Sequence, residues 1–548
     1  MIYNRFAKTP FSQNGDEGKA RFQASPDNLG KAVESLKEKT PDFQSGEAYQ
    51  WKKPEMNKKF TLEYFLLSVV LFLALILRLY RIDIPLADHH SWRQADTAAV
   101  ARNFIKEGWN FLQPKIDNLT PLARPDIPNT KRLFLAEPPI YQTAVAGIYR
   151  IFGVREFWAR LISVIFSLGS IIFLYLITKK YLGTRIALLA GFFFAILPYS
   201  IFYSRVILPE PLMIFLTLGM IYWFREGLEE QEGREGKIKW GLAVIFAGLA
   251  LTQKAFPIFL LLPMAYLAMK KFGLNQKKIV SLFLCFFVSL LPLIAWRLWI
   301  KQFPEGIPPS DWLFNQGDIR FKGAFFYWIF AERLGRLILG YWGLPLLILG
   351  LILKPGKEGW FFHIWLLAVL IYTTVFAAGN VTHDYYQAPF IPILAIFLAK
   401  GASFLIFDFG RNFNRVICHL SFVICLLFML AFSWYQVRDF YNIQGGVDLA
   451  GRAVDELTPK DALVLTGDSN DATLLYSCNR YGWTGGYASN FPNEPAVIER
   501  VKQMGASVYV STKFDRNSDF GKYMLANYPV IKRTDQYLIF SLKPLEKL

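Results

Sequence analysis

Two carboxylates, Asp88 and Asp96, stand eight residues apart in the polar segment that follows the first long apolar run of the chain. A carboxylate held near apolar surface has a raised pKa, so it can take a proton from an acceptor hydroxyl while a new bond forms to that oxygen. Either residue could therefore serve as a general base. The structural alternatives are a helix cap for Asp88 and a solvated helix face for Asp96.

Further charged residues stand at the ends of later apolar runs. Glu137 precedes a double proline, a pair that suits the start of a helix, where a carboxylate also stabilises the helix dipole. Arg205 and Glu210 lie five residues apart in a short hairpin between two apolar runs. Lys254 interrupts another apolar run, and its ammonium group could stabilise the charge on a departing phosphate or extend towards water as an ordinary surface lysine.

A polar cluster opens a later apolar run with the residues His383, Asp384, Tyr385 and Tyr386. Such a cluster could hold a phosphate or a hydroxylated substrate, whereas an aromatic belt alone would need no histidine. Ionisable residues at a membrane boundary are costly to desolvate, so their accumulation there predicts a functional site.

Metal-binding patterns are weak in this sequence. The neighbouring His89 and His90 could bind a divalent ion together with Asp88, although adjacent histidines are more typical of polar loops. The five histidines form no HExxH set, so a divalent metal stays open and no other cofactor is expected. The chain also lacks a P-loop, a GxGxxG between strand and helix, a GxSxG and a DxD motif, which disfavours soluble donors such as nucleotide sugars.

The elements that must position these residues are membrane helices. Of the 548 residues, 53% are hydrophobic and 17% aromatic, and the mean hydropathy is +0.27, which exceeds what one soluble core uses. A bilayer core about 30 Å thick needs about 20 apolar residues per helix. We predict eleven spans, at 60–80, 158–178, 186–203, 207–224, 240–251, 255–269, 279–300, 341–353, 360–378, 387–407 and 416–435. The segment 323–340 could add one or two helices, so the predicted total is eleven to thirteen.

Basic residues predict the orientation of these spans, because cytoplasmic loops carry an excess of Lys and Arg. Every second loop is basic, from Lys58 and Lys59 before the first span to Arg411 and Arg415 before the last. This alternation places the N-terminus in the cytoplasm, the C-terminus outside and all the residues named above on the non-cytoplasmic face. The first run begins near Phe60, too far from Met1 for a cleaved signal peptide, so we expect an uncleaved anchor.

The net charge of +17 follows from these loops, which also meet anionic lipid headgroups. No basic stripe interleaved with stacking aromatic residues lies outside the apolar runs, which argues against nucleic acid binding.

Composition divides the chain into three parts. Residues 1–59 predict a mostly disordered cytoplasmic tail, residues 60–435 a transmembrane domain and residues 436–548 a small α/β domain outside the membrane. The first outer loop, 81–157, should contain helices lying along the interface at 91–107 and 138–152. In the C-terminal domain we predict strands at 462–466, 507–511 and 537–542 and a helix at 494–504.

The transmembrane part resembles the GT-C membrane glycosyltransferases, in particular glycosyltransferase family 39, which contains the protein O-mannosyltransferases and the aminoarabinose lipid A transferases. The resemblance covers residues 60–435 and rests on motifs that occur in the family's order. They are Asp88 and Asp96 in the first outer loop, Trp92-Arg93-Gln94-Ala95-Asp96-Thr97 before Ala101-Arg102-Asn103-Phe104, Glu137-Pro138-Pro139, Phe152-Gly153 with Arg160-Leu161, Ser204-Arg205 with Glu210, Thr252-Gln253-Lys254, and His383-Asp384-Tyr385-Tyr386.

Two motifs depart from the family pattern. The usual Asp-Glu pair after the first span is here Asp88-His89, and the Lys-Pro-Pro of the lipid A branch is Glu137-Pro138-Pro139. The catalytic carboxylate is therefore not assigned uniquely between Asp88 and Asp96, and a metal site is not carried over from relatives.

The resemblance implies a GT-C fold and an inverting transfer of a sugar from a polyprenyl-phosphate donor to an acceptor hydroxyl. It implies Asp88 as the base, with Asp96 the close alternative, and Glu210 and Glu137 as further carboxylates of the site. Substrate or phosphate contacts are implied for Arg93, Glu137, Arg205, Lys254, His383, Asp384 and Tyr386. We expect a bacterial inner (plasma) membrane, with a protein, a lipid or a glycan as the acceptor; the identity of the sugar stays open.

Two other functions fit a polytopic chain. A transporter or flippase for a lipid-linked glycan should show internal repeats or ionisable residues near span midpoints, whereas the predicted spans are uncharged at their centres. An enzyme-like fold retained as an assembly factor is the third possibility.

Overall fold

The apolar runs form helices, since only a helix satisfies every backbone hydrogen bond of a single segment within a bilayer. The computed structural model describes residues 58–122, 126–230, 232–409, 414–468, 471–485 and 491–544. Five helices in these ranges are long and apolar enough to cross a membrane, namely Leu62–Leu79, Glu156–Ile196, Gln276–Ile300, Phe390–Phe409 and Arg415–Tyr441. The segment Phe361–Val375 is apolar but shorter.

The α-helices before the C-terminal sheet are named here in chain order. They are α1 (Lys58–Leu79), α2 (Ser91–Lys106), α3 (Ile140–Phe152), α4 (Glu156–Ile196), α5 (Pro198–Tyr203), α6 (Glu210–Glu229), α7 (Gly233–Gln253), α8 (Leu261–Phe272), α9 (Gln276–Ile300), α10 (Trp312–Asn315), α11 (Gly323–Phe326), α12 (Leu344–Ile352), α13 (Phe361–Val375), α14 (Ala377–Thr382), α15 (Phe390–Ser403), α16 (Arg415–Val437) and α17 (Val447–Leu457). Segments of 3₁₀-helix occur at Phe256–Leu260, Pro304–Gly306, Gln316–Phe321, Asp384–Gln387 and Arg438–Tyr441. Segments of π-helix occur at Tyr327–Ile338 and Phe404–Phe409.

Each of the eleven predicted spans overlaps one of these helices. The second and third spans both lie in α4, which consists of two helical parts joined at Gly183. This residue has φ 80° and ψ 170°, a non-helical conformation that only glycine adopts readily. The segment 323–340 is helical, as expected, and so are the two predicted stretches of the 81–157 loop, which form α2 and α3. The number of helices that cross the bilayer and their orientation stay predictions.

Buried arginines fasten the start of the 81–157 loop to the helices beneath it. Arg78, at the end of α1, donates to the carbonyl oxygens of Phe194 (3.2 Å) and Ala195 (3.0 Å) at the end of α4. Arg160 of α4 donates to the carbonyl oxygens of Ile82 (3.1 Å) and Ile84. These bonds satisfy carbonyl groups in the last turn of α4 and in the irregular segment that follows α1. The loop is therefore held in one place before α2 begins.

The C-terminal region forms the predicted α/β structure. Its sheet contains β1 (Leu463–Thr466), β2 (Gly482–Thr484), β3 (Ala506–Ser511), β4 (Val530–Arg533) and β5 (Leu538–Ser541), in the order β2-β1-β3-β5-β4. Strands β2, β1 and β3 are parallel, whereas β5 is antiparallel to both β3 and β4. The accompanying helices are α18 (Thr473–Ser477), α19 (Pro495–Gln503) and α20 (Asp519–Asn527).

The three predicted strands and the predicted helix of this region are confirmed, and β2 and β4 were not predicted. Strand β2 has three residues, and β4 carries the mostly exposed residues Val530–Arg533, so neither shows a buried apolar alternation. The predicted N-terminal tail lies outside the described residues, apart from its last two positions. The described residues from Lys59 onward form one compact unit.

Candidate active site

A cavity of about 750 Å³ lies between the start of α2, the start of α6 and the ends of α7 and α9. The segments 307–314 and 383–389 complete its walls. Its charged and titratable lining residues include Arg93, Asp96, Glu137, Glu210, Lys254, Arg297, His383 and Tyr386. All of these except Arg297 were singled out from the sequence, so the fold brings most of the predicted site residues together.

Four side chains of alternating charge form a row along one wall of the cavity. Arg93 donates to one oxygen of Glu137, whose other oxygen lies 3.9 Å from Nζ of Lys254. The same Nζ lies 3.2 Å from Oε1 of Glu210. Burial alone would raise the pKa of Glu137, but Arg93 and Lys254 hold it below its ordinary value. The two flanking cations thus keep the Glu137 carboxylate ionised.

Local structure explains how these four residues meet. Arg93 lies in the first turn of α2, and Glu137 stands just before the proline pair that leads into α3. Glu210 is the first residue of α6, and Lys254 directly follows the last residue of α7. Because these helix ends lie on the same side of the helix bundle, residues that are distant in sequence come close together there.

One carboxylate oxygen of this row has no hydrogen-bond donor among the described residues. This atom is Oε2 of Glu210, and it is buried. A buried acceptor without a donor costs free energy on the order of 1–3 kcal/mol, more when it is charged. A hydroxyl or amine of a bound molecule could remove that cost, which makes Glu210 a binding candidate.

Asp96 lies three residues after Arg93 on α2, so both side chains face the cavity from one side of the helix. Burial raises the pKa of Asp96 to about 7, against the opposing effect of Arg93, and the carboxylates of Asp471 and Asp117 add to the rise. No hydrogen bond from the described residues engages this carboxylate. It therefore has the proton affinity and the free oxygens that a general base needs near neutral pH.

His383 lines the cavity within a group of aromatic rings. Its ring is stacked on Tyr385 at 5.3 Å between centroids, and Trp92 and Trp312 lie at 5.7 and 5.5 Å. Burial and, to a smaller extent, the neighbouring His90 together lower the pKa of His383 to about 4. At neutral pH the imidazole is uncharged, so it can offer a hydrogen bond to a phosphate but no positive charge.

Asp88 and Arg205 lie outside the cavity, in a buried network. Oδ2 of Asp88 accepts hydrogen bonds from Arg205 (3.2 Å) and Arg160 (3.4 Å), and its Oδ1 accepts one from Gln94 (2.8 Å). The Asp88 and Arg205 side chains have no solvent-exposed surface. The guanidinium of Arg205 also donates to the carbonyl oxygen of Arg81 (2.7 Å). These contacts indicate that Asp88 and Arg205 stabilise the start of the 81–157 loop. The role in catalysis expected for Asp88 stays a prediction.

Asp384 is also turned away from the cavity. Its two carboxylate oxygens lie 3.0 and 2.7 Å from Nε2 of His89 and of His90, and the Tyr203 hydroxyl donates to Oδ1 at 2.5 Å. The Tyr199 hydroxyl donates to the backbone oxygen of Asp384 at 2.6 Å. The substrate contact expected for Asp384 stays a prediction as well.

Sequence reasoning missed several contributors to the cavity, among them Arg297 and Ala472. Arg297 lines it from the last turn of α9, and no described carboxylate forms an ion pair with it. An arginine at the end of an apolar run was a detectable signal, equivalent to that of Lys254. Ala472 lines the cavity from the C-terminal region, and no motif marked it.

The C-terminal region reaches the cavity because α18 is docked on α2. Arg102 of α2 donates to the carbonyl oxygen of Tyr476 (3.0 Å) and stacks over its ring at 4.0 Å. The Thr473 hydroxyl donates to the Ser91 hydroxyl at 2.9 Å. Asp471 accepts a hydrogen bond from the Thr473 backbone N–H at 2.7 Å, an arrangement typical of a turn before a helix.

Comparison with known proteins supports this description. Residues 136–299 match the model of the dolichyl-phosphate-mannose-protein mannosyltransferase family. The candidate mannosyltransferase YkcB of Bacillus subtilis is 27% identical over 178 residues, which are 32% of this chain and 24% of YkcB. The chain thus matches about a quarter of the length of that relative.

Two solved structures share the fold over most of their length. ArnT from Cupriavidus metallidurans, bound to undecaprenyl phosphate, superposes with a TM-score of 0.61 at 15% identity, covering 88% of this chain and 98% of ArnT. The apo oligosaccharyltransferase of Archaeoglobus fulgidus gives a TM-score of 0.56 at 12% identity, covering 83% of this chain and 70% of the other.

The fold is therefore that of the GT-C membrane glycosyltransferases, and the chain is a multi-pass integral membrane protein. Residues 136–299, less than half of the chain, match the family of dolichyl-phosphate-mannose-protein mannosyltransferases. The predicted fold class is confirmed, and this match supports the predicted resemblance to glycosyltransferase family 39.

Proposed function

We propose that the protein transfers a sugar from a polyprenyl-phosphate donor to an acceptor hydroxyl on the non-cytoplasmic face of the membrane. The observation that carries this proposal is the composition of the cavity, where the cations Arg93, Lys254 and Arg297 share walls with the carboxylate of Asp96. Cations suit a lipid phosphate, and a carboxylate with a pKa near 7 suits proton removal from a hydroxyl. The bound undecaprenyl phosphate of ArnT supports the choice of donor class.

We infer the following reaction from the positions of these side chains in the cavity. The acceptor oxygen attacks C1 of the sugar while its proton passes to the Asp96 carboxylate. The bond between C1 and the phosphate oxygen breaks, and the phosphate leaves with the electron pair. Attack opposite the leaving group inverts the configuration at C1. Arg297 and Lys254 stabilise the charge that develops on the phosphate, and neutral His383 donates a hydrogen bond to it.

The buried oxygen of Glu210 has a place in this scheme. Its Oε2 lacks a donor among the described residues, and a sugar hydroxyl would satisfy it. Trp92, Trp312 and Tyr386 line the same cavity and offer flat apolar surface to the sugar ring or to the first isoprene units.

Transfer is tested directly with the purified chain in lipid nanodiscs. Polyprenyl-phosphate sugars of several kinds are supplied together with membranes from cells that lack the gene, which contain the unmodified acceptor. We expect release of polyprenyl phosphate and a new mass on the acceptor. Movement of the intact donor across a vesicle bilayer with no cleavage would instead support a flippase and overturn the proposal.

The rate of transfer is expected to rise with pH up to about 7 and to level off above it. A base must be deprotonated to accept a proton, and the pKa of Asp96 is raised to about 7, so its active form is lost as the pH falls below that value. Each unit below the inflection should cost about tenfold in kcat/KM. The measurement is a pH profile between about 5.5 and 9, and a flat profile in that range would argue against Asp96 as the base.

Replacing Arg297 with Gln should lower kcat/KM for the donor by about 100-fold, because a preorganised cation facing the phosphate is lost. The matched control is Lys301→Gln, which removes an exposed positive charge four residues further along the chain, at the end of α9. Steady-state kinetics with varied donor distinguish the two variants. Equal kinetics for Arg297→Gln and wild type would remove Arg297 from the phosphate site.

A further inference from the structure

A second cluster of side chains lies beside the cavity and contains two histidines and a carboxylate. Nε2 of His89 lies 3.0 Å from Oδ2 of Asp384, and Nε2 of His90 lies 2.7 Å from Oδ1. One ligand atom from each of the three residues lies within 4.8 Å of the others. The aspartate comes from a segment 294 residues after His90, so the cluster joins two distant parts of the chain.

We propose that His89, His90 and Asp384 bind one divalent transition-metal ion, with zinc the best fit. Imidazole nitrogen and carboxylate oxygen are common zinc ligands, at distances of about 2.0–2.2 Å. Tetrahedral bonds of that length place ligand atoms about 3.3 Å apart. The observed separations of 3.0 and 2.7 Å, each to a different oxygen of Asp384, would have to lengthen by a few tenths of an ångström. A water molecule would occupy the fourth position.

Backbone conformation favours this convergence. His90 has φ 54° and ψ 31°, a left-handed conformation that costs a residue other than glycine about 1 kcal/mol or more. Adjacent side chains normally diverge, yet here both imidazoles turn to the same carboxylate, with ring centroids 4.1 Å apart. Metal coordination would compensate for that backbone cost.

The surroundings orient each ligand. The ring of His89 is stacked on Phe440 at 3.9 Å and 14°, and Tyr385 meets the ring of His90 edge-on at 5.2 Å. The Tyr203 hydroxyl donates to Oδ1 of Asp384, as outer-shell donors commonly do at metal-binding carboxylates. The His89 side chain is 31% exposed, which leaves a path for an ion to enter.

The electrostatic balance is acceptable for a cation. Arg333 is the nearby positive charge, with NH1 3.8 Å from Oδ2 of Asp384 and therefore beyond direct hydrogen-bond distance. Asp384 supplies one negative charge to the ion, and neutral imidazoles supply the other two protein ligands. A site with one carboxylate and two histidines suits zinc better than magnesium or calcium, which prefer oxygen ligands.

Such an ion would connect two walls of the cavity. His89 and His90 precede α2, which carries Trp92 and Asp96, and Asp384 follows His383 directly. The three ligands are thus positioning residues, since none of them lines the cavity. The metal-binding proposal does not depend on the transfer activity, so either can fail without the other.

Metal content is the primary test. The chain is purified with a tag that binds no metal, without chelators, and its metals are measured by inductively coupled plasma mass spectrometry. We expect about one divalent transition-metal ion per chain, falling below about 0.1 in the double variant His89→Asn, His90→Asn. The control His419→Asn changes an exposed histidine of α16 and should keep the full content.

A second measurement uses only the wild-type chain, so it tests the proposal even if the double variant does not fold. The wild-type chain is stripped with a chelator and titrated with Co²⁺, whose visible absorption reports tetrahedral coordination. Saturation at one equivalent, displaced by Zn²⁺, supports the site. Absence of uptake by the stripped wild type, or equal metal content in wild type and a folded double variant, would show a purely hydrogen-bonded cluster and overturn the proposal.

Discussion

The variant Asp96→Asn should lose about 10²–10⁴-fold in kcat for sugar transfer, the range that a general base contributes. The carboxamide keeps the shape of the side chain but cannot accept the proton that leaves the acceptor hydroxyl. Donor binding should change little, because we assign the phosphate contacts to Arg297 and Lys254 in the proposed function. The measurement is steady-state release of polyprenyl phosphate, with kcat and KM determined separately.

The control for Asp96 is Asp519→Asn, which removes a carboxylate whose side chain is fully exposed in α20 and should leave the kinetics unchanged. Asp96→Glu is the conservative variant, and it should recover part of the activity with a displaced pH inflection. Wild-type activity in Asp96→Asn would exclude this residue as the base and return that role to another carboxylate.

The variant Asp88→Ala should lower the free energy of unfolding by about 3–5 kcal/mol, the usual cost of breaking a buried ion pair. Asp88 is the shared acceptor of Arg160 and Arg205, whose side chains have no exposed surface, so its removal leaves two buried guanidinium groups without a counter-ion. The thermal unfolding midpoint in detergent and the monodisperse yield report this loss.

Asp439→Ala serves as the stability control, because that carboxylate is 68% exposed and should change the unfolding midpoint very little. Asp88→Asn separates structure from catalysis, since the amide keeps a hydrogen-bond acceptor in the network. A stable Asp88→Asn protein whose kcat falls as far as that of Asp96→Asn would contradict a purely structural role for Asp88.

Helix positions were largely predictable because the signals that encode them are local. An apolar run of about 20 residues forms a helix in lipid whatever its neighbours are, and each predicted span overlaps an observed helix. The strands β1, β3 and β5 were predictable because their side chains are almost entirely buried and apolar. Strand β4 has mostly exposed side chains and relies on its partner β5, so no local pattern marked it.

The sequence by itself determined the membrane class, the helices and most of the charged cavity residues, because a charge at the end of an apolar run is costly unless it has a use. Only the tertiary structure decided which of these charges meet. Asp88 and Asp96 look alike in sequence, yet Asp88 pairs with Arg205 across 117 residues, while Asp96 faces the cavity. Pairings over such separations depend on how the helices pack, and a local pattern does not contain that information.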